Sequence, residues 1–269
     1  MTPLLEEQAQ AALEKLGLKG VQERLDGACQ RAAAESWSYS AFLGYLLDAE
    51  VQERHRRSVE FNLKFARFPL LKRLADFDFE ALPSLDRRLI EELSTLRFLY
   101  EGRNLVFLGA PGVGKTHLAL GLGLLACERG HRAYFTSAIE LARKLSLAFS
   151  ENRLHREMRK LLQPKVLILD EVGYLTLDNT QASLLFQALC HRYERSQSVI
   201  LTSNKAFGEW GEISAGDAVM AAAALDRLLH RCTVVHIRGE SYRLRERKRA
   251  GVPLDVPSTG PADSPSASV

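Results

Sequence analysis

The sequence predicts an α/β chain, with a five-stranded parallel sheet flanked by helices behind a small all-helical N-terminal domain. Three observations predict it. Beyond residue 84, short β-rich runs alternate with helical segments, the pattern of a parallel sheet covered by its own crossovers. Before residue 69, apolar residues recur at helical spacing. Between the first β-rich run and a strongly apolar segment lies a glycine-rich loop with the spacing of a phosphate cradle.

Leu5, Ala9, Ala12, Leu13 and Leu16 mark a first helix, which Gly17 and Gly20 punctuate. Val21, Leu25, Cys29 and Ala32 give a second. A third, longer helix begins with Phe42, Leu46, Ala49 and Glu53 and runs through Phe61, Phe65 and Phe68 until Pro69 stops it. The acidic aromatic stretch Asp76, Phe77, Asp78, Phe79, Glu80 and then Pro83 reads as a linker. A helix from about Ser84 to Tyr100 follows. The predicted strands are Asn104 to Leu108, Arg132 to Thr136, Val166 to Leu169, Ser198 to Thr202 and Thr233 to Arg238. The division is therefore residues 1–68 as a helical domain, 69–83 as a linker and 84–249 as the sheet domain. Residues 250–269, rich in proline and serine and free of Lys and Arg, read as a disordered tail.

Composition excludes several classes. The chain has 269 residues, 46% hydrophobic and 26% charged, so it can bury a core. Its 36 Lys and Arg nearly balance 33 Asp and Glu, but the basic residues cluster. The longest apolar run, Leu118 to Cys127, is about half of what a bilayer-spanning helix needs. No secretory pattern opens the sequence. Cys29, Cys127, Cys190 and Cys232 are dispersed, which reads as structural thiols in a reducing cytoplasm. Cys190-His191 and His230-x-Cys232 offer too few ligands for a metal set.

Gly109, Ala110, Pro111, Gly112, Val113, Gly114, Lys115 and Thr116 satisfy G-x-x-x-x-G-K-[ST], directly after a strand and before a helix. The glycines let successive N–H groups point inward at phosphate oxygens, and the positive end of the helix closes the nest. Lys115 is expected to reach the β- and γ-phosphates of ATP and the Thr116 hydroxyl to take one position on Mg²⁺. The partner element is Val166 to Glu171, an apolar strand ending in two carboxylates. Asp170 is expected to hold the Mg²⁺ shell and Glu171 to act as general base toward the lytic water. Asn204, just past the next strand, is the candidate that hydrogen-bonds the γ-phosphate and that water. Phe77 and Phe79 read either as an adenine contact or as apolar anchors of the linker.

These residues resemble AAA+ ATPases of the IstB type, transposition helpers of one class of bacterial insertion sequence, and their relative DnaC, the helicase loader. The resemblance spans about residues 10 to 245. Beyond the phosphate loop it rests on Leu85-Asp86-Arg87, Asp170-Glu171-Val172-Gly173-Tyr174-Leu175, Thr202-Ser203-Asn204-Lys205, Glu209-Trp210-Gly211-Glu212-Ile213, Leu225-Asp226-Arg227-Leu228-Leu229-His230 and Arg238-Gly239-Glu240-Ser241-Tyr242-Arg243. The Trp210 and Leu225–His230 stretches resemble the transposition helper more than the loader. Ile213 to Asp217 depart from the family, whose members more often have a Phe and one residue fewer there. The resemblance implies an ATPase without a C-terminal helical lid, in a homo-oligomeric ring or helical filament with the site at a subunit junction. It makes Arg227 the arginine-finger candidate, against a surface Arg paired with Asp226; Arg192 and Arg195 are weaker candidates.

Three basic stretches remain. On a helical wheel of residues 151–163, Arg153, Arg156, Arg159 and Lys160 fall on one side and Leu154, Met158, Leu161 and Leu162 on the other. That suits contacts to duplex DNA phosphates, or a solvated charged face. From Arg54 to Arg73, Arg57 and Lys64 share a sector with Phe61, Phe65 and Phe68, which reads as stems snorkelling over a core or as a docking surface. Arg243, Arg245, Arg247, Lys248 and Arg249 form a third cluster. The expected function is ATP-dependent assembly on duplex DNA that delivers or remodels a target for a partner transposase in the bacterial cytoplasm. The alternatives are a DnaC-like helicase loader and a nucleotide-gated DNA-binding scaffold.

Overall fold

The computed structural model describes residues 3–174, 177–214, 225–242 and 245. The tail from residue 250, the basic residues Arg243, Arg247, Lys248 and Arg249, and residues 215–217 of the departing stretch lie outside them.

Three helices open the chain, α1 (Pro3–Leu16), α2 (Lys19–Ala34) and α3 (Tyr39–Ala66). Ser38 starts α3 by accepting from the Ala41 N–H at 3.2 Å. Arg67, in left-handed backbone, ends it two residues before Pro69. The α2–α3 crossing is pinned by the Glu50 carboxylate, which accepts from Gly20 N at 2.8 Å and from Arg54 Nε at 2.8 Å. That arginine hydrogen bond holds the Glu50 carboxyl below its usual pKa. The basic run of α3 is matched within the helix, since Arg56 pairs with Glu53 and Glu60, and Arg57 with Glu53. Of its aromatics, Phe65 packs on Tyr134 at 5.9 Å while Phe61 stays half exposed beneath Arg132, and Phe68, just past the helix, joins the sheet core.

The helix expected from Ser84 to Tyr100 is two, α4 (Arg87–Ser94) and α5 (Arg97–Glu101). Leu96 breaks them apart at φ +62, a left-handed conformation held because its side chain is only 2% exposed. The remaining elements are β1 (Asn104–Gly109), α6 (Lys115–Glu128), β2 (Ala133–Ser137), α7 (Ala138–Ser150), α8 (Leu154–Leu161), β3 (Val166–Val172), α9 (Asn179–Glu194), β4 (Ser198–Ser203) and β5 (Cys232–Ile237). Each predicted strand is present within two residues at either end, apart from β3, which runs three residues further.

All strand pairs are parallel and the order is β2-β3-β4-β1-β5. Both faces are covered, so the strands are continuous apolar runs whose residues alternate between two cores. Val106, Leu108, Leu167 and Leu169 face α7, α8 and α9, whereas Leu105, Phe107, Val166 and Ile168 face α6 and the segment before β1. Each such fully buried side chain contributes roughly 1.5–3 kcal/mol. The edge strand β2 is covered by the C-terminal part of α3.

Arg192 on α9 is fully buried and is a strut. Its guanidinium donates to Leu161 O at 2.6 Å, Pro164 O at 3.2 Å, Lys165 O at 3.3 Å and Ser198 O at 2.8 Å, tying the end of α8 to the starts of β3 and β4. Burial lowers its pKa to about 9. A side chain so engaged does not reach another subunit, so Arg192 is removed from the arginine-finger candidates. Replacing it with Met strands those carbonyls, and we expect Arg192→Met to cost about 3–5 kcal/mol in urea unfolding; a loss below about 1 kcal/mol would show that the strut is dispensable.

Candidate nucleotide site

The loop between β1 and α6 turns on glycines. Gly112 and Gly114 have φ +83 and +89, the left-handed region that side chains disfavour. Space is short as well: a Cβ at Gly112 would lie 2.1 Å from Ser241 Oγ, and one at Gly114 2.7 Å from the Phe77 ring. Val113 is fully buried and anchors the loop, while Ala110 and Pro111 form its exposed tip. Lys115 Nζ donates to Gly109 O at 2.7 Å and Ala110 O at 2.8 Å, so the ammonium stands over the loop. The segment after β5 seals the other side, with Tyr242 N donating to Gly112 O at 3.0 Å.

A cavity of about 500 Å³ opens beside the loop. Gly112 to Thr116 form its floor, and its walls come from the stretch expected to be a linker, including Leu70, Leu71, Lys72 and Phe77, with Tyr242 opposite. Arg73 O meets His117 Nε2 at 2.8 Å, which straps this stretch to the first turn of α6. Phe77 is 9% exposed, stacks edge-on with His117 and Phe79, and lines the cavity; Phe79 stands behind it, under Arg87.

The carboxylates meet the loop because β4 lies between β3 and β1. Thr116 Oγ1 donates to Asp170 at 2.9 Å from Oδ1 and 3.2 Å from Oδ2. The β3–β4 register runs from Leu169↔Leu201 to Val172↔Ser203, so Asp170 and Glu171 stand opposite Thr202 alone. This is a β-bulge, and it leaves Glu171 at φ +58, a conformation that costs a non-glycine residue about 1–2 kcal/mol. Asp170 is buried while Glu171 is exposed. The Thr202 hydroxyl donates to Asp170 Oδ1 and accepts from Glu171 N at 3.0 Å. Sequence reasoning passed over Thr202: its polarity at a strand end was visible, but its partners depend on a register across two strands.

Asn204 is the first residue beyond β4 and is exposed, between the ends of the acid-bearing strand and the phosphate-loop strand. Arg227 is elsewhere. It lies in the helical residues 225–230 before β5, where Asn104 at the start of β1 donates to Leu228 O at 3.0 Å. That is the opposite edge of the sheet from Gly109, about 17 Å away at ~3.3 Å per residue. Arg227 is exposed and donates to Cys190 Sγ at 3.2 Å; no ion pair to Asp226 is formed among the described residues. Around it, Tyr193 meets His230.

The basic stripe falls mostly on α8. Arg156, Arg159 and Lys160 are exposed there, with Met158 and Leu161 buried behind them. Arg153 caps the helix from outside at φ −112, so it flanks the stripe, and it pairs with Glu151. Lys160 pairs with Glu157 at 2.6 Å.

The family model described as IstB-like ATP binding protein matches residues 11–250. The chain belongs to this family. It is 47% identical over 234 residues to a protein of insertion sequence IS5376 from Geobacillus stearothermophilus named for ATP binding, covering 87% of this chain and 92% of that one. A protein of insertion sequence IS21 from Pseudomonas aeruginosa, likewise named, is 45% identical over 89% of this chain and 90% of its own. Among solved structures, the replication initiator DnaA bound to AMPPCP and single-stranded DNA superposes with a TM-score of 0.53 at 19% identity, covering 70% of this chain and 57% of that one. DnaI superposes at 0.52 and 21% identity, over 63% of this chain and 89% of its own. These likenesses bear on the fold alone, a P-loop AAA+ α/β core, to which this chain's own structure adds the helices α1 to α3. No helix among the described residues is long and apolar enough to cross a membrane.

The clash at Gly112 generates a prediction. Gly112→Ala should weaken binding of a fluorescent ATP analogue by about 30-fold or more, because the left-handed turn disfavours alanine and its Cβ would collide with Ser241. Gly27→Ala, where a Cβ meets open space, should leave binding unchanged. Equal affinities for the two variants would contradict this account of the loop.

Proposed function

We propose that this IstB-like chain binds and hydrolyses ATP as a homo-oligomer assembled on duplex DNA, and delivers or remodels that DNA for a partner transposase. The observation that carries the reading is the convergence of Thr116, Asp170, Thr202 and Glu171 at the mouth of a phosphate loop.

The backbone N–H groups of residues 112 to 116 and the Lys115 ammonium would hold the β- and γ-phosphates. The Thr116 hydroxyl and the Asp170 carboxylate, hydrogen-bonded to each other, form the hard-oxygen pair that suits Mg²⁺. Mg²⁺ bound there would neutralise charge on the phosphate oxygens. Glu171, exposed beside them, would take a proton from the water whose oxygen attacks the γ-phosphorus. The bond to the bridging oxygen breaks, leaving ADP and inorganic phosphate. Asn204 would hydrogen-bond that water and the γ-phosphate.

Arg227 is too far from its own phosphate loop to act there. As an exposed cation at the opposite sheet edge it would serve the site of a neighbouring subunit, which is why the reading includes an oligomer. The exposed face of α8, with Arg153 beside it, would contact DNA phosphates. Residues 1–68 would form the DNA- or partner-binding domain and 84–249 the ATPase. The transposase partner is carried over from the insertion-sequence names of the relatives.

The test is ATP turnover and sedimentation with and without duplex DNA. We expect turnover to rise with duplex, and Glu171→Gln to lose at least about 100-fold in turnover while holding nucleotide and remaining in large assemblies on duplex. Replacing Arg156, Arg159 and Lys160 by Ala should flatten the salt dependence of duplex binding by about 2.7 in log–log slope, near 0.9 per phosphate contact. Turnover unaffected by Glu171→Gln would overturn the base assignment, and turnover and assembly indifferent to duplex would overturn the DNA reading.

A further inference from the structure

We infer that Thr202 is a positioning residue for the hydrolytic base, setting the backbone of Glu171 and the carboxylate of Asp170 through one hydroxyl group. The inference rests on the proposed reading of Glu171 as base and deepens it.

A hydroxyl has one hydrogen to give and lone pairs to receive. The hydrogen of Thr202 goes to Asp170 Oδ1, and a lone pair takes the Glu171 N–H at 3.0 Å. Thr202 is 1% exposed, so water does not compete for either bond. In an unbroken strand, Asp170 and Glu171 would point to opposite faces of the sheet, one into each apolar core. The bulge changes this. By placing two residues opposite Thr202, it brings Glu171 into left-handed backbone with its side chain exposed, while Asp170 stays buried against Thr116.

A bulge leaves a backbone N–H without its ladder partner, and a buried N–H without a partner is unfavourable. The Thr202 hydroxyl supplies that partner from a side chain. It therefore supports the strained turn that aims Glu171 and, with the same atom, fixes the carboxylate that Thr116 reaches from the other side. Ser203, the next residue, donates its hydroxyl to Val172 O at 2.7 Å, so the far side of the bulge is closed by a side chain too. Valine at 202 would keep the shape and lose both bonds.

The experiment compares Thr202→Val and Thr202→Ser with the wild type by steady-state ATP turnover, and follows exchange of the Glu171 amide proton in the protein without nucleotide. We expect Thr202→Val to lower kcat by about 10- to 100-fold with KM for ATP within about threefold, since Thr116 still holds Asp170 and a misplaced base costs the chemical step and not the binding of phosphate. Thr202→Ser, which keeps the hydroxyl, should restore kcat to within about threefold of the wild type, a rescue that a purely packing role of the methyl would not give. The Glu171 amide should exchange slowly in the wild type and the serine variant and fast in the valine variant. Should the valine variant fail to fold, the wild-type amide still decides: fast exchange there overturns the inference. Wild-type turnover by Thr202→Val beside an inactive Glu171→Gln overturns this inference alone, whereas an active Glu171→Gln overturns the base assignment and leaves the amide to judge the bulge.

Discussion

Parallel strands deliver their C-terminal ends to one edge of the sheet, and in this chain β4 is inserted between the strand that ends in the phosphate loop and the strand that ends in two acids. The site depends on that insertion. It sets Asp170 within hydrogen-bonding distance of Thr116, 54 residues earlier in the chain, and places Thr202 and Asn204 between them. Much of the remainder secures it: two apolar layers hold the strands, Arg192 ties the starts of β3 and β4 to the end of α8, and Asn104 stitches the opposite edge.

The two edges of the sheet differ in character. At the C-terminal edge, the Thr116 and Thr202 hydroxyls meet on the Asp170 carboxylate beside the phosphate loop. At the N-terminal edge, Arg227 stands in the open beside Cys190. On the proposed reading, Arg227 would serve the phosphate loop of a second copy, because its own lies at the far end of the strands.

The strands, the three N-terminal helices and the phosphate loop were legible in the sequence because they depend on local patterns: continuous apolar runs, helical spacing and glycines at fixed intervals. What was not legible depends on register or on distant contacts. The helix expected from Ser84 to Tyr100 breaks at Leu96 because burial of that side chain outweighs its backbone preference. Arg192 stood among the weaker arginine-finger candidates, and only the packing of α9 shows it buried as a strut. Residues 69–83 read as a linker by composition, yet Phe77 and Leu82 are buried and the stretch walls the cavity. Of the phenylalanines mixed with bases from Arg54 to Arg73, Phe65 and Phe68 pack inward while Phe61 stays exposed, and Arg56 and Arg57 pair within α3.

On the proposed reading, Thr116 and Asp170 would act as one unit toward nucleotide and Mg²⁺. A double-mutant cycle of Thr116→Val and Asp170→Asn on ATP affinity, with Mg²⁺ and with chelator, tests it most directly. The account predicts a coupling of about tenfold or more, ~1.4 kcal/mol, with Mg²⁺ present and its loss with chelator. Additive effects under both conditions would contradict it.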